Sequence, residues 1–455
     1  MKLFYRRVEV EGAHYLPARG PVILVANHPN SVTDAYLLAT RLTRRRVHFI
    51  AKDSITSAPV VGRFVRELGV IGVARAMDYG SRRDQAAARN RAALSACVPL
   101  LAPGGVMAIF GEGISTDARR LHAIRKGAMR FGYAAEQAAD FKLGVVWAPV
   151  GISYSAKNRP RSDVFIRVGQ PFRLADLHAS PADHERDVIQ AGTARLQAEI
   201  ESLVVNVEHQ ELAPLIDRLS TALASGEPEF AGQVKAGQEL ARAIAYFNVA
   251  EPQRVIRLQR DVRAFDRKLA ATGLTEAALA QRRPWRAFAG GLAALGGHGL
   301  LLLLDTYGWA NTIVPRWAGR LAAPLGRDRI RAEGAASDAA QVQVAREALT
   351  ATLGAWAGAA VAFPLQTWLV FRWLAPRYGW LVAGAVAGIY LATLIPAWWL
   401  FVRRRDHFRR ALASTRDTLR LLGRGRPAHK LRRERVRLRR HVRALLSAYS
   451  AQSPR

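Results

Sequence analysis

Between residues 20 and 175, short apolar runs rich in β-branched side chains alternate with Ala-rich stretches of helical spacing. The runs are PVILVAN (21–27), RVHFIA (46–51), GVIGVA (69–74), GGVMAIF (104–110), GVVWAPVGISY (144–154) and DVFIRVG (163–169). Their length and near-continuous apolarity predict strands covered on both faces. TDAYLLATRLTR (33–44), SRRDQAAARNRAALSACVPLLAP (81–103) and RKGAMRFGYAAEQAA (125–139) predict helices between them. Residues 1–175 therefore read as an α/β domain on a mostly buried sheet. The first twenty residues hold no apolar run long enough for a secretory signal, so this domain is expected in the cytoplasm.

Over residues 176–285 the strand pattern gives way to helical spacing, as in HERDVIQAGTARLQAEIESLVVNV (184–207). This predicts a helical connector that packs on the α/β domain or lies along a membrane surface. Ala348–Phe371 then runs for 24 residues without a charge, and Tyr378–Val402 for 25. At about 1.5 Å per residue each can cross a hydrocarbon layer of about 30 Å, so 348–371 and 378–402 are expected to be spans of a transmembrane hairpin. Pro364 and Pro396 fall inside them, where membrane helices tolerate proline, and Trp368, Trp373, Trp380, Trp398 and Trp399 suit interfacial positions. The competing reading, two buried helices of a soluble protein, needs more surrounding core than the arginine-rich flanks offer. An earlier apolar run, Ala287–Leu304, contains five glycines and has arginines on both sides. Both flanks then belong on the cytoplasmic side, so 286–304 reads as a re-entrant or interfacial part of a membrane region spanning 286–402.

Composition sharpens this in two places. The one cysteine, Cys97, excludes an intrachain disulfide framework or a multi-cysteine metal site and fits a reducing compartment. With 67 Lys+Arg against 36 Asp+Glu the net charge is +31, and residues 403–455 carry +15 of it, starting at Arg403-Arg404-Arg405 directly after the second apolar segment. An arginine-rich helical tail at 403–455 on the cytoplasmic side follows, held to anionic headgroups by about 1 kcal/mol per near-surface cation. A solvated helical face with codon-driven arginine is the plainer account of part of that excess.

Candidate chemistry is densest at Asn27-His28-Pro29-Asn30-Ser31-Val32-Thr33-Asp34, between a strand and a helix. Histidine there can act as a general base, and an aspartate can fix its tautomer and stabilise the imidazolium. A regular helix would leave positions 28 and 34 on different faces, so the Pro-Asn-Ser turn must fold back to join them.

Three further stretches, together with this one, resemble the glycerophospholipid acyltransferase family over roughly residues 8–170. The first block is Asn27, His28 and Asp34, with five residues between His and Asp where most members have four. The second is Gly69-Val70-Ile71-Gly72-Val73-Ala74-Arg75, and the third is Phe110-Gly111-Glu112-Gly113-Ile114-Ser115, with Gly111 where the family has proline. Arg125-Lys126-Gly127-Ala128 resembles the basic-Gly step that follows, and Val146-Trp147-Ala148-Pro149-Val150 the fourth block. Singly, His28 fits a packed strand-end histidine, Arg75 a solvated cation and Glu112 a helix-start carboxylate; the ordered set outweighs those readings.

The resemblance implies a membrane-bound O-acyltransferase of phospholipid synthesis, acting on glycerol 3-phosphate or 1-acylglycerol 3-phosphate. His28 and Asp34 would be catalytic. Arg75 and Lys126, with Lys52 and Arg125, would neutralise the acceptor phosphate, and Asn27, Glu112, Gly113 and Ser115 would complete the acceptor site. The donor would be an acyl thioester of coenzyme A or acyl carrier protein. No cofactor or metal is expected, and the histidines show no ligand spacing. Cys97 reads as a core residue and not a nucleophile. The expected setting is a membrane of the bacterial inner-membrane type, with catalytic domain and tail cytoplasmic. The alternatives are an acyltransferase for another lysolipid, or a non-catalytic membrane protein binding anionic lipid or nucleic acid. Nucleic acid is not expected, because basic residues with interleaved aromatics are missing.

Overall fold

The computed structural model describes residues 5–452 apart from 31, 58–62, 64–65, 68, 75–82, 115–118, 158–160, 178–183, 225–229, 282, 301 and 323–338. Seven strands, β1 (Tyr5–Glu11), β2 (Val22–Ala26), β3 (Val47–Lys52), β4 (Val70–Val73), β5 (Val106–Phe110), β6 (Val146–Tyr154) and β7 (Ser162–Val168), form one sheet in the order β1-β7-β6-β2-β5-β3-β4. All neighbours are parallel except β6 and β7. Strand side chains alternate between faces. Ile23, Val25, Met107, Ile109 and Trp147 meet α3 (Arg83–Leu101), α4 (Gly127–Ala138) and α5 (Glu185–Leu203), which contribute Cys97, Met129 and Leu196. Val22, Leu24, Ala108, Ala148 and Val150 meet Leu37 and Leu38 of α1 (Val32–Arg41) on the other face. A single turn, α2 (Asp53–Thr56), follows β3. Strand β1 escapes the apolar pattern because YRRVEVE lies at the sheet edge, where charged residues are tolerated.

Beyond α5 the connector continues as α6 (Ala213–Ala224), α7 (Phe230–Ala250), α8 (Pro252–Thr272) and α9 (Glu276–Ala280). These helices share a core with the chain's last helix, α15 (Gly425–Gln452). Leu431, Leu438, Val442 and Leu445 form one stripe of α15 that packs with Leu219, Leu240, Phe247, Leu258 and Phe265. The sequence sets 403–455 apart as a tail; in the structure its first part is the continuation of a long helix and its second part completes this core. Some of its cations serve that packing: Arg435 reaches Glu276 at 3.2 Å, and Glu434 accepts from Lys268 at 2.9 Å. Arg426, Lys430, Arg433, Arg437 and Arg440, spaced by three or four, stay exposed on the opposite side.

The apolar region comprises α10 (Pro284–Leu300), α11 (Leu302–Asn311), α12 (Ile313–Ala322), α13 (Ala339–Tyr378) and α14 (Trp380–Gly423). Gly379, with φ 80°, supplies the turn between the last two, and Pro364 and Pro396 lie inside continuous helices. Ala359, Ala362 and Phe363 pack with Leu394, and Trp356 meets Trp398 edge to face at 5.4 Å. Outward, Val361, Trp368, Trp373, Trp380, Leu381 and Ile389 are each more than half exposed. Ala287–Leu304, expected as one segment, is divided between α10 and α11. Gly291 lets α10 approach Thr415 of α14, and α11 meets the apolar half of α14, where Tyr307 and Thr393 share a hydrogen bond of 2.7 Å. The chain then reverses at buried Thr312, and α12 runs beside α13, with Gly358 close to Ala318. Glycine permits these close helix contacts.

Candidate active site

Parallel strands β2, β3, β4, β5 and β6 all end on one edge of the sheet, the usual place for ligand chemistry in such folds. Asn27 and His28 follow β2 there, Glu112 follows β5, and Tyr154 closes β6. The Asn27 side chain donates to the Ile152 carbonyl at 3.1 Å and accepts from the Ile152 amide at 2.7 Å, replacing a rung of the ladder where β2 has ended. Both ends of its amide are therefore used in holding β2 to β6.

The turn folds back as its residues require. His28 Nδ1 lies 3.0 Å from Asp34 Oδ2, and the same oxygen accepts from the Asn30 amide at 2.6 Å. Asp34 Oδ1 accepts from the Tyr154 hydroxyl at 2.5 Å. Asp34 is wholly buried, so these partners hold its carboxylate in one orientation. The imidazole stacks on Phe110, centroids 3.7 Å apart and planes at 15°, which fixes the ring. With Nδ1 committed to Asp34, Nε2 is the ring nitrogen on which a substrate proton can be taken. Burial and the neighbouring Asp34 push the Tyr154 hydroxyl well above its ordinary pKa, and they push that of Tyr5, whose oxygen accepts from Asn30, the same way.

Glu112 works as a staple. One carboxylate oxygen accepts from the His28 amide at 3.0 Å and the other from the His122 amide at 2.9 Å, tying the His28 turn to the segment after β5. Burial raises its pKa against the opposing pull of these amides and of the two histidines. At Gly111 the amide donates to the Ala26 carbonyl at 3.0 Å, a bond proline could not make, and an added Cβ would meet Ile124 at 2.7 Å. The left-handed residue of this loop is Gly113, with φ 69°, close beneath the Arg125 side chain.

Of the expected cations, Arg125 donates through Nε to the Glu112 carbonyl at 3.0 Å. Lys52 ends β3 on the same sheet edge, two strands from β2. Lys126 sits exposed before α4 and lines a cavity with α5 that shares Arg120 and Leu121 with the one that Asn27 and Glu112 line. Arg75 and Ser115 lie outside the described residues. The spacing of motifs does not disclose Tyr154, Asn30 or Tyr5, because their partners are 120, 4 and 25 residues away; a hydroxyl ending an otherwise apolar strand is the one hint.

Residues 7–153 match the family model described as Acyltransferase. Over this region the chain is similar to acyltransferases. The acyltransferase domain is similar to the chloroplastic 1-acyl-sn-glycerol-3-phosphate acyltransferase LPAT1 of Arabidopsis thaliana, with 31% identity over 184 residues. That match covers 40% of this chain and 46% of the plant protein, so the chain spans under half the length of that curated relative. A crystal structure of the 1-acyl-sn-glycerophosphate acyltransferase PlsC from Thermotoga maritima aligns with 22% identity and a TM-score of 0.28, over 42% of this chain and 73% of that one.

Proposed function

We propose that the protein is a membrane-bound O-acyltransferase that moves an acyl chain from a thioester to the free hydroxyl of 1-acylglycerol 3-phosphate or glycerol 3-phosphate. The observation that carries this is the His28–Asp34 pair, locked on the sheet edge inside the acyltransferase domain. His28 Nε2 takes the proton of the acceptor hydroxyl as its oxygen bonds to the thioester carbonyl carbon. The carbon–sulfur bond then breaks, and the departing thiolate recovers the proton from the imidazolium, which Asp34 stabilises meanwhile. The acyl group passes directly between substrates and the chain needs no nucleophile. Cys97 would be a poor one: it is fully buried, and burial pushes its thiol up to about 12.

Membrane attachment through the α13–α14 hairpin is supported by exposure. Only 22% and 20% of the apolar windows in these helices are buried, whereas the core helices of a soluble protein would be mostly covered. Arg403, Arg404 and Arg405 follow the second apolar segment and mark its cytoplasmic end.

The test is acyl transfer by membranes carrying the protein, with labelled acyl-coenzyme A and acyl carrier protein as donors and both acceptors supplied. His28→Ala is expected to lower the rate by about 10²–10⁴-fold, the worth of a positioned general base. Full activity in that variant would remove the base assignment. Acylation of neither acceptor would turn the reading toward another lysolipid or toward anionic-lipid binding without catalysis.

A further inference from the structure

Beside the dyad, a cavity of about 380 Å³ opens between the acyltransferase domain and helices α6 and α7, within the roughly 300–1,000 Å³ of small-molecule sites. Asn27, Glu112 and Tyr154 line one wall; Ser220 of α6 and Gln233 and Gly237 of α7 line the other. That second wall lies outside residues 7–153, so the domain alone does not enclose this space. We propose that it is a phosphate-ester site in which Arg120 and Lys157 supply the cations and the helical connector supplies the far wall. The proposal rests on the acyl-transfer reading only for which phosphate ester is bound.

The connector is bonded to the loop that carries Arg120. Asn206 accepts from the Leu121 amide at 2.9 Å, Gln197 from the Ile124 amide at 2.7 Å and Gln210 from the Arg119 amide at 3.3 Å, while the Val207 amide donates to the Arg119 carbonyl at 2.6 Å. Glu112 holds the same loop through His122 and holds the catalytic turn through His28. One chain of hydrogen bonds therefore runs from the connector to the dyad, and positions 119–124 are set relative to His28.

Arg119 pairs with Asp217 of α6 at 2.7 Å, and both Glu112 oxygens are turned to backbone amides. Arg120, exposed on this fixed loop at the junction with the second cavity, and Lys157, half-buried in the turn after β6, both line this space. Two cations over a polar lining suit the oxygens of a phosphate ester and would be wasted on an acyl chain. Such a group comes from two sources in the proposed reaction, the phosphate of the acceptor or the phosphates of coenzyme A.

Equilibrium dialysis of the detergent-solubilised full chain against labelled glycerol 3-phosphate, lysophosphatidate and coenzyme A, each alone, reads binding without turnover. Arg120→Ala/Lys157→Ala is expected to raise Kd at least about tenfold for the acceptors or for coenzyme A, but not for both, and to flatten its dependence on salt. Acceptor loss would assign the site to the acceptor, and coenzyme A loss to the donor. Gln233→Trp keeps both cations and narrows the cavity from α7, and it should weaken the same ligand. Kd values within twofold of the unmodified protein in both variants, with an unchanged melting temperature, would overturn the proposal, as would failure of the unmodified protein to bind any of the three. Binding that is lost in the variants, in a protein that transfers no acyl group, would keep the site and dismiss the acyl-transfer reading.

Discussion

Tyr154 donates to Asp34 from a position 120 residues downstream, and its raised pKa keeps the hydroxyl protonated across the working pH range. The bond draws off part of the aspartate's negative charge and stops the carboxylate from rotating. Tyr154→Phe is expected to lower kcat about tenfold, since the hydroxyl holds Asp34 in place. An unchanged kcat would make Tyr154 a packing residue only. The His28–Asp34 pair was legible in the sequence because the two residues sit six apart in a turn that must fold back. Asn27 and Glu112 were legible as positions, but their tasks were not: both side chains serve backbone groups of distant segments, and only the fold brings Ile152 and His122 within reach.

At the scale of elements, parallel strands buried on both faces carry their signal openly, and six of the seven could be read from apolar runs. Strand β1 could not, since the charges of YRRVEVE interrupt its apolar pattern. The fit of helix to sheet is tight at Gly132 of α4. A Cβ there would run into the Trp147 ring and lie 2.9 Å from Ile23. Gly132→Ala would favour the helix by propensity yet is expected to cost about 1–3 kcal/mol through overpacking, seen as a lower melting temperature. Stabilisation would show that α4 can slide on the sheet. Helix α15 was legible as a helix, but its partner was not. Its arginines dominate the composition, and the four-residue stripe that sends it back to α7 and α8 is hidden among them.

For the molecule as a whole, the +31 charge resolves into parts with different employment. Arg435 and Arg218 pair with Glu276 inside the helical core, while the opposite face of α15 keeps a stripe of exposed cations. Ending the chain at Arg424 would remove Leu431, Leu438, Val442 and Leu445 from that core, each worth about 1.5–3 kcal/mol when buried. The shortened protein is expected to aggregate on size-exclusion chromatography in detergent; a monodisperse peak would mean that α6–α9 hold together alone.

Helix α14 is apolar as far as Val402 and then runs unbroken to Gly423, where Leu421 enters the core shared with α15. From Arg403 to Leu421 it spans about 27 Å at 1.5 Å per residue. Hydrogen bonds from Thr275 to Asp417 and from Thr418 to Gln281 keep the helical core from swivelling on it. The same core is bonded onward to the loop beside His28. If the hairpin sits in a bilayer, α14 acts as a ruler: the sheet edge that carries His28 is held at a set height and angle above the lipid, and a ligand of that edge must meet it at that level instead of waiting for a tethered domain to swing down.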